Sequence, residues 1–131
     1  MKSKMRFAFM ISGLFIATGV LADNCPPLNS VSDNGKWVVP SGWLATKNGT
    51  PGTGTAGKNP IFGWAFIHPD VSTVSCTYVG SNHQSDKLII RKLTSTKPKP
   101  IGANWITKDG TVGCGQYNLY PSNPEKCQWK E

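Results

Sequence analysis

The sequence has few of the side chains from which active sites are commonly built. It contains two histidines and seven carboxylates among 131 residues. His68 and His83 belong to no His-Glu-x-x-His pattern, and the chain has no Gly-x-Ser-x-Gly sequence. Most carboxylates fall in turns or near chain ends, where acidic residues serve turn geometry. We therefore predict a protein without catalytic residues, metal ligands or cofactors.

Long apolar segments are missing after residue 22, although one precedes it. Lys2, Lys4 and Arg6 lead into an apolar run over residues 7–21, and Val20 and Ala22 supply the small residues of a cleavage site. The run is shorter than the roughly 20 residues of a membrane span. We predict that residues 1–22 are a cleaved signal peptide and that residues 23–131 form one exported domain, periplasmic or secreted, with no transmembrane segment.

The charge balance changes with that cleavage. The 14 basic residues lose three and the seven acidic residues all remain, so the net charge falls from +7 to +4. A charge of this size is mildly suggestive of an anionic partner.

All four cysteines follow the cleavage site. An even number of cysteines in a small exported domain predicts two disulfides, since an oxidising compartment favours them over zinc. Four cysteines allow three connectivities, and we favour Cys25–Cys76 with Cys114–Cys127.

The local patterns predict strands rather than helices, because apolar residues do not recur at helical spacing. Short β-prone runs bounded by turn residues cover Lys36–Val39, Ile61–His68, Val71–Val79 and Lys87–Leu93. We predict an all-β fold, a small antiparallel β-sandwich or barrel of about six strands held by two disulfides.

The strongest local signal is Asp109-Gly110, between two β-prone runs. Asp-Gly is typical of a two-residue hairpin turn, which needs positive φ at both central residues. Counting outward from a turn that pairs Lys108 with Thr111 places Trp105 opposite Cys114.

Residues 46–60 are rich in Gly and Thr and have almost nothing to bury, so they predict a mobile surface loop. Within them, residues 52–59 match the phosphate-loop pattern up to Asn59, which stands where Ser or Thr would hold magnesium. Because Pro60 and a β-prone run follow in place of a helix, we do not interpret this segment as a nucleotide site.

Basic residues cluster between Lys87 and Lys99, and we predict that Arg91, Lys92, Lys97 and Lys99 form an anion-binding surface. Lys97 to Pro100 should be stiff and extended, holding its ammonium groups outward. The alternative is a solvated edge strand that resists aggregation.

Five tryptophans are dense for a domain of this size. Trp64 and Trp105 lie within strand runs and are expected in the core. Trp43 and Trp129 are the better candidates for exposure, and we include Trp43 in the predicted ligand surface.

The mature chain resembles small cysteine-paired exported domains of Gram-negative bacteria. The resemblance rests on Cys25-Pro26 at the mature start, Cys76-Thr77-Tyr78 in a central strand, and a late Trp105 followed by Cys114 and Cys127. It implies a periplasmic or secreted β-rich domain and carries no catalytic residues.

We predict an exported, non-catalytic binding protein that contacts an anionic glycan, lipopolysaccharide or acidic lipid. The alternative is a secreted protein-interaction factor, such as an inhibitor, an adhesin-like protein or a host-directed effector, that uses Trp43 and the Gly/Thr-rich loop. A small hydrolase would instead need carboxylates, or a histidine and a carboxylate, converging in a pocket. Nucleic acid is not favoured, because the basic segment is small and lacks interleaved aromatics.

Overall fold

The computed structural model describes residues 22–45, 52–68, 70, 72–115 and 123–131. These residues form eleven strands, two of which pair only with each other as a short hairpin. In chain order the strands are β1 (Asp23–Asn24), β2 (Ser32–Asp33), β3 (Lys36–Trp37), β4 (Leu44–Ala45), β5 (Ile61–Ile67), β6 (Thr73–Val79), β7 (Lys87–Leu93), β8 (Lys99–Ile101), β9 (Trp105–Lys108), β10 (Thr111–Cys114) and β11 (Gln128–Lys130). The predicted signal peptide lies outside the described residues except for Ala22, and so do residues 46–51 of the predicted loop.

Two antiparallel sheets account for nine of the described strands. The larger sheet has six strands in the order β4-β7-β6-β5-β10-β9, and the smaller has three in the order β1-β11-β8. The remaining two strands, β2 and β3, form the hairpin. The prediction of an all-β antiparallel fold is therefore confirmed, with eleven strands among the described residues in place of the expected six or so. Within the described ranges no helix has the length and apolar character needed to cross a membrane.

The predicted hairpin is present with the predicted register. Asp109 and Gly110 have φ angles of 51° and 81°, the positive values that this turn requires. Lys108 lies opposite Thr111, and Trp105 lies opposite Cys114. A second turn of the same kind, Asn34-Gly35, joins β2 to β3, again with positive φ at both residues.

Both favoured disulfides are present. Cys25–Cys76 and Cys114–Cys127 have Cα–Cα distances of 5.9 and 5.8 Å. Cys25 directly follows β1 and Cys127 directly precedes β11, whereas Cys76 and Cys114 belong to the large sheet. Each disulfide therefore links the small sheet to the large one, and together they hold the two layers of the sandwich.

The core lies on one side of the large sheet, which we call the inner face. Its rows are Phe62–Tyr78–Leu88 and Ala65–Cys76–Ile90, in which all six side chains are fully buried. Trp129 of the small sheet is also fully buried in this core. The Tyr78 hydroxyl donates a buried hydrogen bond of 2.6 Å to the carbonyl oxygen of Pro26, and burial raises the pKa of this phenol well above its ordinary value.

A β-bulge interrupts β5 at Gly63. Ile61 and Phe62 lie opposite Val79 and Tyr78, but the register then shifts so that Trp64 lies opposite Thr77. Without the extra residue, Phe62 and Trp64 would point to the same face, because side chains alternate along a strand. The bulge sends Phe62 into the core and Trp64 to the opposite face.

Two segments differ from the sequence prediction. Residues 52–60 of the predicted loop do have something to bury, since Ala56 is fully buried and Thr53 exchanges two backbone hydrogen bonds with Lys87. The Lys97–Pro100 segment is not merely extended, because Lys99–Ile101 pairs as β8 with β11 and Pro98 is buried. Neither pairing is visible in local sequence, since both partners are distant along the chain.

Replacing Tyr78 by Phe tests the attachment of the chain start to β6. The variant keeps the ring that packs on Phe62 but leaves the buried Pro26 carbonyl without its donor. We expect a loss of about 1–3 kcal/mol in the free energy of unfolding. Urea unfolding of the oxidised protein should show a lower midpoint at an unchanged slope, and an unchanged midpoint would contradict this account.

Candidate functional site

The opposite side of the large sheet, which we call the outer face, carries three successive rows across β5, β6 and β7. The rows are Ile61–Val79–Lys87, Trp64–Thr77–Ile89 and Phe66–Ser75–Arg91. Leu44 of β4 extends the third row beside Arg91, and Gly113 and Ile106 extend it beyond Phe66. The central strand contributes the floor of this surface, and the two flanking strands contribute its large side chains.

The outer face is less buried than the inner face. Leu44, Ile61 and Leu93 are 47%, 44% and 61% exposed, whereas every residue of the two inner rows is fully buried. Three of the four exposed large aliphatic side chains among the described residues lie on this face, spread over β4, β5 and β7. The outer face therefore presents apolar and aromatic side chains to solvent.

A small hollow opens at one end of the outer face. It has a volume of about 130 Å³ and is lined by Ile61, Trp64, Val79, Gln84 and Lys87. The Lys87 ammonium lies 5.3 Å from the centre of the Trp64 ring, within the range of a cation–π interaction. The hollow thus combines an aromatic plane, an apolar floor, an amide and a cation.

The charge of the large sheet has one sign. Its six strands contain four cations, Lys87, Arg91, Lys92 and Lys108, and no aspartate or glutamate. Alternation and register place Lys87 and Arg91 on the outer face, while Lys92 lies opposite Val74 on the inner side. The strands of this sheet therefore contribute positive charge to the outer face and no negative charge.

The structure separates the cations that the sequence grouped. Arg91 lies on the outer face, whereas Lys92 stands over the Trp43 ring, 5.9 Å from its centre. Lys97 and Lys99 belong to the small-sheet side and line an apolar hollow of about 220 Å³ with Ile67 and three other residues. Arg91 is therefore separated from the other three cations, because neighbouring residues of a strand point to opposite faces and Lys97 and Lys99 lie on the small-sheet side.

The tryptophans are distributed differently from the prediction. Trp129 is fully buried, so its expected exposure is wrong, and Trp43 is half-buried with its ring edge-on to Trp129 at 6.3 Å. Trp105 packs against the core as expected, and its indole N–H donates to the Gln128 carbonyl at 2.8 Å. Trp64, expected in the core, lies on the outer face. The glycine directly before it was the one sequence signal for the bulge responsible.

The C-terminal residue, Glu131, is held by hydrogen bonds from Ser95. The Glu131 carboxylate accepts hydrogen bonds from the Ser95 backbone N–H at 2.6 Å and from its hydroxyl at 3.1 Å. These hydrogen bonds hold the pKa of Glu131 below its usual value, with a smaller contribution from the Lys92 charge. Lys92 therefore lies over the Trp43 ring and close enough to the Glu131 carboxylate to lower its pKa slightly.

The two histidines make short local contacts. His68 Nε2 lies 3.2 Å from Ser75 Oγ at the edge of the outer face. His83 Nδ1 accepts from the Ser85 backbone N–H at 3.1 Å and lies 2.6 Å from its hydroxyl. Among the residues that the structure describes, no group of three or more His, Cys, Asp or Glu side chains is placed to hold a metal ion.

Comparison with protein-family models, with curated proteins and with solved structures finds no match to this chain.

The Glu131 contact predicts a pH dependence with a defined sign. Because folding lowers this pKa, the contact contributes stability above the carboxyl group's unfolded pKa and loses it as the pH falls through the folded value. We expect Ser95→Ala to raise the pKa of Glu131 only part of the way, since the backbone N–H remains. Carbon-detected NMR titration of the side-chain carboxyl measures this, and an unchanged pKa in the variant would contradict the assignment of the hydroxyl contact.

Proposed function

We propose that this is an exported, non-catalytic binding protein whose outer face contacts an acidic polysaccharide. The observation that carries the proposal is the composition of that face, where Trp64 and Phe66 lie in neighbouring rows beside Lys87 and Arg91. No carboxylate belongs to the six strands that build it.

The chemistry of these side chains suits a charged sugar chain. Aromatic rings offer flat apolar surface for stacking, and the buried Thr77 and Ser75 of β6 lie between these two residues of β5 and the strand β7. Trp64 and Phe66 are two residues apart on a strand, hence about 6.7 Å apart along it, so that both can contact one extended ligand. Lys87 and Arg91 supply charge for carboxylate, sulfate or phosphate groups on that ligand.

Export is part of the proposal and is supported by two features. Two disulfides and no free cysteine are typical of proteins from oxidising compartments. The basic and then apolar N-terminal segment has the pattern of a signal peptide. A periplasmic or secreted protein would meet acidic glycans directly.

A protein partner is a second candidate, favoured by the exposure of Leu44, Ile61 and Leu93 on the same face. Exposed aliphatic side chains on one face of a sheet are common at protein interfaces. Its binding would depend little on ionic strength, in contrast to binding of an anionic polymer. A second copy of this chain is a poor occupant, because it would bring Lys87 and Arg91 toward their own equivalents.

Calorimetric titration of the oxidised protein with polygalacturonate tests the proposal, with uncharged dextran as the neutral control. Lipopolysaccharide and vesicles containing phosphatidylglycerol are separate arms for the other anionic surfaces. We expect polygalacturonate to bind, dextran to bind more weakly, and the affinity to fall as salt rises.

Two charge-matched variants locate the surface. Lys87→Gln with Arg91→Gln removes two cations from the outer face, and Lys97→Gln with Lys99→Gln removes two from the small-sheet side. The first pair should weaken polygalacturonate binding by about three- to thirtyfold, as expected for two exposed ionic contacts. The second pair should leave the affinity within about twofold.

Trp64→Ala is the test of stacking. Because Trp64 is half-buried, the thermal unfolding of this variant should be measured as a control for its stability. Equal losses in the two charge-matched variants would show that net charge alone drives binding and would overturn the outer face as the site. Binding to vesicles but not to polygalacturonate, or to neither, would also overturn the proposal.

A further inference from the structure

A second, larger hollow lies at the end of the molecule where three turns meet. The turns are the β2–β3 hairpin, residues 55–58, and the start of the loop between β6 and β7. The hollow is open to solvent and has a volume of about 940 Å³. Its lining residues are predominantly polar: Ser32, Asn34, Gly35, Lys36, Thr55, Gly57, Lys58, Ser81 and Asn82.

Hydrogen bonds between the three turns hold the walls of this hollow together. The backbone N–H groups of Ala56 and Gly57 both donate to the Gly35 carbonyl, at 2.9 and 3.2 Å, and the Ser81 N–H donates to the Ala56 carbonyl at 3.0 Å. The Asn82 amide donates to the Thr55 hydroxyl at 3.3 Å. The walls are therefore connected before any ligand arrives, which lowers the entropy cost of binding.

The close approach of two turns requires glycine at one point of the wall. Gly57 has a φ of +71°, and a Cβ atom there would lie 2.2 Å from the Ser81 hydroxyl oxygen. Any other residue would strain the backbone and displace the Ser81 and Asn82 side chains. The glycine-rich composition of residues 52–57 thus shapes the hollow in addition to joining β4 to β5.

The lining favours an anion that also carries hydroxyl groups. Lys36 and Lys58 supply ammonium groups from two different turns, and the amides and hydroxyls of the other lining residues supply neutral donors and acceptors. No carboxylate belongs to the lining. Asp33 lies directly opposite Lys36 in the hairpin. Its carboxylate competes with an anionic ligand for the Lys36 ammonium and reduces the effective charge of that group.

The same residues explain why a sequence like a phosphate loop does not form one here. A phosphate loop cradles its ligand with free backbone N–H groups. In this hollow the backbone N–H groups of Ala56 and Gly57 donate to the Gly35 carbonyl, and the backbone N–H of Asn59 donates to the Ser81 hydroxyl at 3.2 Å. Recognition is left to the side chains, above all Lys36 and Lys58.

We propose that this hollow binds a sugar that carries one anionic substituent, a phosphate, sulfate or carboxylate. Lys36 and Lys58 pair with the anionic group, while Asn34, Asn82 and Thr55 contact the sugar hydroxyls. The site is separate from the outer face and needs neither its aromatic residues nor Lys87 and Arg91. A test that contradicts the polysaccharide proposal would therefore leave this proposal unaffected, and the reverse also holds.

Amide NMR titration of the ¹⁵N-labelled oxidised protein tests this site, with glucose 6-phosphate, glucose and inorganic phosphate as probes. We expect glucose 6-phosphate to shift signals from residues 34–36, 55–58 and 81–82, and to bind more tightly than either glucose or inorganic phosphate. Equal affinity for inorganic phosphate, shifts confined to other residues, or no shift at low salt would each overturn the proposal.

Exposed charge variants complete the test because they leave the fold intact. Lys36→Gln with Lys58→Gln should weaken glucose 6-phosphate binding by about three- to thirtyfold, whereas Asp33→Asn should strengthen it by about two- to fivefold. Lys87→Gln with Arg91→Gln is the matched control and should change this affinity by less than about twofold. Loss of binding in the control, or no change in Lys36→Gln with Lys58→Gln, would contradict the assignment.

Discussion

The attachment of residues 25–26 to the central strand β6 is the constraint on which the rest of the structure depends. The Cys25–Cys76 disulfide and the Tyr78–Pro26 hydrogen bond act on the same side of this strand. They bring β1, and with it the small sheet, over the inner face. The other face of the large sheet then becomes the surface on which Trp64, Phe66 and Arg91 lie. A bond inside the core thereby determines which face of the large sheet the small sheet leaves uncovered.

One inserted residue in β5 has a comparable effect on the composition of the outer face. The bulge at Gly63 allows two adjacent aromatic positions to serve different purposes, with Phe62 packed on Tyr78 and Trp64 beside Lys87. A regular strand would have buried both rings or exposed both. The bulge disrupts the hydrogen-bond ladder locally, and it does so at the position that places the Trp64 ring on the outer face.

The fold also decides where the charged side chains are placed on the surface. Carboxylates are absent from the large sheet, and both the outer face and the loop hollow present pairs of cations. The loop between β6 and β7 connects the two surfaces, since Gln84 lines the small hollow and Asn82 lines the large one. The proposed ligands differ in size, but both are anionic and rich in hydroxyl groups.

The sequence by itself determined the features that depend on neighbouring residues or on pairing rules. Asp109-Gly110 specified its hairpin and the Trp105–Cys114 register, β7 has the predicted bounds, and the preferred cysteine pairing is the one found. Only the tertiary structure decided that Trp129 is buried, that Trp64 is not in the core, and that Lys97 and Lys99 lie on the small-sheet side. Those outcomes depend on which layer covers which face and on a bulge that reverses alternation. Both arise from contacts between distant segments, which local periodicity does not encode.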